Sequence, residues 1–392
     1  MSAMANASLA KTATAVDYGD DEAAMEVYRA EGTARALALP NRGPMRLDDN
    51  GRLVPEILEA YSRYGFYIFE GLLNEAELSD LEHDLHDMLD RAPTTKDSKV
   101  DKHGRPALGA DCKARTVTMV KPLSDPYGGT DANLGRHPVK MTEPDAPVDA
   151  PDYVMQLLLG TLQFSPAHLR LYGHPKLLAA AASIHGDDFV PFNESIWIKH
   201  PRLGGSVAWH QDGWTHWESP DFHENSHGFN MMAQLYGCDA ANGLWVIPGT
   251  HRDGKVDLKA MVAAAGTERL PQAVPLICKA GDVAVTNRQA VHGSFANTSP
   301  NLRVTFNLGF HCRKSVLNVK GGGVHNDVTF YDADYIHNRS GMIMYGIDAR
   351  RQRFPDETSY DYQPLREEAD AYRWSPELMP KLKDYNLNDL GI

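Results

Sequence analysis

The chain is poor in cysteine, in net positive charge and in long apolar runs. Four cysteines in 392 residues, Cys112, Cys238, Cys278 and Cys312, show no paired spacing. That excludes a disulfide framework and a cysteine zinc site, and points to free thiols in a reducing cytoplasm. A net charge of −13 argues against nucleic acid and anionic membrane surfaces as partners. It leaves an anionic small molecule open, because pocket charge is local. The longest apolar stretches, such as residues 177–182, are far too short to span a bilayer. The N-terminus is alanine-rich but carries Asp17, Asp20, Asp21 and Glu22, with no apolar core of a signal peptide. There is no internal repeat, phosphate-binding glycine loop or nucleotide-binding fingerprint. What remains, 42% apolar and 23% charged, is the composition of a soluble globular protein with a sizeable core.

Residues 1–50, small and polar and ending in a Pro-Asn-Arg-Gly-Pro turn at 40–44, read as a flexible tail that packs on the body at its end. A helix is expected over 74–91. Asn74 can cap it with Glu77 at the third position, and Leu78, Leu81, Leu85, Met88 and Leu89 make one apolar stripe. His83 and His86 then fall on its surface. Residues 92–150, rich in Pro, Asp, Gly and Lys, read as a long irregular insertion. From about 190 to 312, short strands alternate with turn residues. The expected fold class is therefore mostly β with flanking helices, around a double-sheet jelly-roll core (a double-stranded β-helix, cupin-like). The domain spans 51–320, and 321–392 is a C-terminal extension packing on that core.

His-x-Asp occurs four times, at His185, His210, His251 and His325. Three of these sit at turns: after an alanine-rich helix, after Pro248-Gly249 and after Gly321-Gly322-Gly323. Only His210-Gln211-Asp212 is followed at a suitable distance by a histidine, His292, with an arginine, Arg303, on the next strand-like run. On a strand His210 and Asp212 project to one side; on a helix they would diverge by about 200°. Two imidazoles and a carboxylate with open positions are what a non-haem Fe(II) oxygenase needs, and Arg303 suits a dicarboxylic co-substrate. Leu302, Val304, Phe306 and Leu308 alternate with Arg303, Thr305 and Asn307. Alone, that polar face reads as solvent-exposed. The strand 282–286 leading into His292 turns the reading towards the inside of a barrel. Trp214, Trp217 and Phe222, with Trp209, could wall a substrate pocket, although such a cluster is more often core packing with one or two pocket residues. His216, His223 and His227 read as exposed loop histidines rather than a second metal site, and Arg288 as a surface residue.

In this order and spacing the segments 64–73, Trp209-His210-Gln211-Asp212, 242–251 and His292-Gly293-Ser294 through Arg303 resemble the phytanoyl-CoA dioxygenase-like branch of the Fe(II)/2-oxoglutarate-dependent oxygenases. The resemblance covers roughly residues 55–312. It implies Fe(II) on His210, Asp212 and His292, O2, and 2-oxoglutarate on Arg303 with Ser294 as an added hydroxyl donor. It also implies hydroxylation of a small molecule with release of succinate and CO2. Asn193 stands where relatives often carry an amide near the co-substrate; it could equally be a turn residue. Halogenases of this fold usually carry Gly or Ala in place of the carboxylate, so Asp212 argues for hydroxylation. A desaturating member of the fold, a cupin-type dioxygenase without 2-oxoglutarate, and a catalytically silent jelly-roll binding protein compete with that function. Substrate identity and oligomeric state have no signature in the chain.

Overall fold

The computed structural model describes residues 16–213, 216–217, 219–321 and 329–387. The strands in chain order are β1 (Arg42–Gly43), β2 (Phe66–Phe69), β3 (Val117–Val120), β4 (Val154–Leu159), β5 (Val190–Lys199), β6 (Val207–His210) and β7 (Gly228–Gln234). There follow β8 (Gly237–Cys238), β9 (Trp245–Val246), β10 (Val274–Pro275), β11 (Cys278–Lys279), β12 (Val283–Asn287), β13 (His292–Ser294) and β14 (Arg303–His311). A large sheet has the order β1-β2-β12-β7-β14-β5-β4-β3, and a small one the order β10-β9-β13-β6. Apart from the parallel β1–β2 edge, the pairs in both sheets are antiparallel. This is the expected jelly-roll core with flanking helices.

Period-two alternation decides what each face of the large sheet touches. Ile196, Ile198, Phe229, Met231, Val283, Val285, Val304, Phe306 and Leu308 pack with helix residues such as Leu81, Leu85, Leu169 and Leu177. On the other face Met232 and Ala284 meet Val246 and Val274 of the small sheet. Arg303, Asn307, Trp197 and Asn230 share that second face and line a cavity between the sheets. The polar face of β14 is thus inside: all nine of its residues are buried.

The helix at Glu75–Asp90 has the capping box read from the sequence, with Asn74 and Glu77 satisfying each other's backbone N–H groups. The tail reading needs correction. Residues Glu22–Ala38 form a helix that buries Met25, Tyr28, Gly32 and Ala36. Tyr28 stacks on Trp245 at 4.4 Å, and a Cβ on Gly32 would meet the same indole at 2.4 Å. The 92–150 stretch is mostly irregular, but Val117–Val120 joins the large sheet beside β4. Beyond the core, the helix Ala333–Arg353 contacts β5 and the helix Pro166–Tyr172. The buried ion pair Arg339–Glu194 fastens it to β5, and Arg350–Glu77 to the helix Glu75–Asp90.

Candidate metal centre

Pairing of β6 with β13 places His210 directly opposite His292, with ring centroids 4.1 Å apart. Each Nδ1 lies 2.8 Å from the carbonyl two residues before it, Ala208 and Ala290. A carbonyl only accepts, so each Nδ1 carries the proton and each Nε2 keeps a bare lone pair. Those two Nε2 atoms lie 3.6 and 3.7 Å from the Asp212 carboxylate. The strand expected to carry both His210 and Asp212 in fact ends at His210. Asp212 sits in the following bend, where its N–H donates to the Arg288 carbonyl at 2.8 Å. Gln211 is turned away, as expected, and its amide donates to the Gly254 and Gln289 carbonyls.

Electrostatics prepare this trio for a cation. Burial, then the neighbouring His292, His137 and Arg136, push His210 well below the ordinary imidazole range, so it stays neutral. Burial alone would raise Asp212. Its setting, between the His292 and His210 rings and facing the guanidiniums of Arg136 and Arg288, outweighs that and holds it below the usual carboxylate range. The three donor atoms lie within 4.8 Å of one another, close enough to share one ion. The donor set is borderline-hard and faces a cavity, which fits iron with positions left open.

That cavity measures about 1160 Å³, its open mouth included. Arg303 lines it from β14, buried, and no carboxylate pairs with it among the described residues. Its Nε donates to Thr305 Oγ1 at 3.0 Å, and Thr305 in turn donates to Gln234. Lys199 stands opposite it in register, donating to the Phe295 carbonyl. Burial and the Arg303 charge drive the Lys199 pKa well down. Ser294, buried on β13 of the small sheet, lines the same cavity.

The profile of the Phytanoyl-CoA dioxygenase (PhyH) family matches residues 61–305. The chain belongs to the phytanoyl-CoA dioxygenase family. Iron and 2-oxoglutarate come with that membership as cofactor and co-substrate. Phytanoyl-CoA dioxygenase 1 of Oryza sativa subsp. japonica is 32% identical over 125 residues, 29% of this chain and 42% of that protein. The match therefore spans less than half of that relative's length. Among solved structures, EctD from S. alaskensis with 2-oxoglutarate and 5-hydroxyectoine is 19% identical, with a TM-score of 0.48 over 69% of this chain and 80% of that one. SnoK, a non-heme alpha ketoglutarate dependent carbocyclase from nogalamycin biosynthesis, is 17% identical, with a TM-score of 0.43 over 68% and 87%. No helix among the described residues is long and apolar enough to cross a membrane.

In this family member several expected site residues fall elsewhere. Asn193 is neither a turn residue nor a cavity residue. It is buried within β5, its Oδ1 only 2.4 Å from where a Cβ on Gly309 would stand. Trp217 and Phe222 do not line the cavity. Trp217 donates to the Asp212 carbonyl at 3.2 Å, and Phe222 packs on His227. Trp214 lies outside the described residues. The walls come instead from Trp197, Leu157 and Leu159, and from the 92–150 stretch through Tyr127, Arg136 and His137. Arg136 lies 3.5 Å from Asp212, and the His137 ring lies 4.5 Å from that of His210. Three residues with positive φ, Asn133, Leu134 and Gly135, turn the chain inward just before them. No periodicity announces such a turn, and the Asn133-Leu134-Gly135 run was its only cue. His216 and His227, expected on exposed loops, are fully buried and meet His311. Arg288 is buried too, and donates to His311 Nε2 at 2.9 Å.

Proposed function

We propose that this chain is an Fe(II)- and 2-oxoglutarate-dependent dioxygenase that hydroxylates a small molecule. The observation that carries the reading is one cavity with two ends. His210, Asp212 and His292 offer a facial donor set, and Arg303 is a buried cation that no carboxylate pairs among the described residues. His210, Asp212 and His292 would hold Fe(II), each histidine kept in the ligating tautomer by its own backbone. When bound, iron would couple O2 to the oxidative decarboxylation of 2-oxoglutarate. One oxygen atom of O2 would go to succinate and the other to the substrate, with CO2 released. Arg303 would grip the distal carboxylate of 2-oxoglutarate through two parallel N–H bonds, oriented by Thr305 and Gln234. Ser294 would add a hydroxyl donor. Arg136, His137 and Tyr127 would close the mouth and limit water.

Asp212 favours hydroxylation over halogenation, because its carboxylate takes the position a halide would need. The deciding test is mass spectrometry of the product formed from a metabolite extract with Fe(II), 2-oxoglutarate, chloride and labelled O2. A product heavier by one labelled oxygen, formed together with succinate, is expected; partial label is consistent with exchange. A chlorinated or dehydrogenated product would overturn hydroxylation. No succinate with any substrate would favour the silent binding protein.

A further inference from the structure

Beyond the iron site, three more imidazoles converge in the core. His216 follows Asp212 by four residues, His227 precedes β7, and His311 ends β14. All three are fully buried, with ring centroids between 4.9 and 5.6 Å apart and donor atoms within 4.8 Å. None of them lines the oxygenase cavity. We infer that His216, His227 and His311 form a second metal site, separate from the iron centre, for one divalent cation of the zinc class. This inference does not depend on the hydroxylase reading.

Tautomer logic supports it. Ser315 Oγ spends its proton on the Cys312 carbonyl at 2.9 Å. It must therefore accept from His227 Nδ1, 2.8 Å away. His227 Nε2 is left as a bare lone pair, buried and without a hydrogen-bond partner among the described residues. This is the device seen at His210 and His292, with a serine in place of a carbonyl, and it is how ligating histidines are oriented. Among the same residues, neither ring nitrogen of His216 has a partner, nor does His311 Nδ1. So many unpaired nitrogens in one buried cluster are costly unless something binds there.

The surroundings are shaped to admit the three rings. A Cβ on Gly321 would lie 1.9 Å from His216 Nε2, and one on Gly228 would lie 2.3 Å from His311 Cδ2. Phe192, Phe222 and Tyr331 close around the rings. Three neutral imidazoles with no carboxylate and no thiolate select Zn(II) and its neighbours, and not Mg(II) or Ca(II). Because the site is enclosed, the ion's task there is structural. It would tie the turn after Asp212 to β7 and β14. Arg288 opposes it: its guanidinium occupies the His311 Nε2 lone pair. A cation ligating there must displace that N–H, so this site is the weaker of the two.

The test is a metal count on chelator-stripped full-length protein titrated with Zn(II), by elemental analysis after gel filtration. Wild type is expected to hold two equivalents and His210→Ala/His292→Ala one. Adding His227→Ala to that variant should leave none. In the His210→Ala/His292→Ala background, Zn(II) should raise Tm. There Ser315→Ala should weaken binding by roughly 10–100-fold, and Arg288→Gln should tighten it. Ser315→Ala is a mild change and keeps the test usable if His227→Ala fails to fold. A His210→Ala/His292→Ala protein that folds but holds no zinc, with a Tm indifferent to Zn(II), overturns the inference and leaves a packed imidazole cluster. Loss of hydroxylation alone would not move this count.

Discussion

The two buried histidine clusters differ in one donor and in access. The first pairs two imidazoles with Asp212 at the wall of a large cavity; the second has three imidazoles behind aromatic rings. A carboxylate and an open face leave room for co-substrate and O2, so that cluster can do chemistry. A closed set of neutral donors can only hold. Arg288 joins the two, with its carbonyl anchoring Asp212 and its guanidinium resting on His311. Similar residues a few positions apart thus acquire different tasks through their surroundings.

The largest expected effect would break this contrast outright. His210→Ala should abolish succinate formation and bound iron, whereas His227→Ala should keep both in whatever fraction folds. If His210→Ala turns over at the wild-type rate, the clusters have been assigned the wrong way round. Next come the two arginines. Arg303→Ala should raise the KM for 2-oxoglutarate by roughly thirty- to several-thousand-fold, the cost of about 2–5 kcal/mol for losing a buried bidentate charge pair. Arg303→Lys should recover part of it, since an ammonium lacks the planar fork. Arg288→Lys should leave that KM unchanged. An unaltered KM in Arg303→Ala would move the co-substrate to another cation.

A third measurement separates imidazoles buried to bind a metal from those buried merely to pack. His168 and His185 belong to neither cluster, and burial lowers both to about 3. Their folded pKa is depressed, so the unfolded chain takes up protons first as pH falls. The stability they supply is complete above about 6.5 and is lost as pH falls towards about 3, at about 1.4 kcal/mol per pH unit for each. Urea unfolding at pH 7.5 and pH 5 reads this slope, and added Zn(II) should leave the part due to His168 unchanged. A flat stability over that range would contradict their burial as neutral groups. The smallest effect lies far from both clusters. Asn74→Ala should cost about 1 kcal/mol by chemical denaturation, through loss of the capping box, with turnover unchanged.

Local signals were legible where one element settles them. The capped helix at 74–91, the alternation of 302–308 and the order of His210, Asp212, His292 and Arg303 could all be read along the chain. Trp217 and Phe222 fall outside the cavity lining because side chains near a metal ligand in sequence need not face the same space. Phe222 turns to His227 and Trp217 to the Asp212 carbonyl, and the cavity takes walls from β4, β5 and residues 127–137. The tail reading failed because small residues at 22–38 hid a helix face that has meaning only against Trp245.

The sequence by itself determined the alternation of 302–308, the helix cap and the candidate donors His210, Asp212 and His292, because those depend on neighbours along the chain. Only the tertiary structure decided that His292 stands opposite His210, that Arg136 reaches Asp212, and that His216, His227 and His311 meet. Each of those contacts depends on strand register or on a turn joining residues far apart in sequence, and burial there sets the protonation state that lets a side chain bind a metal.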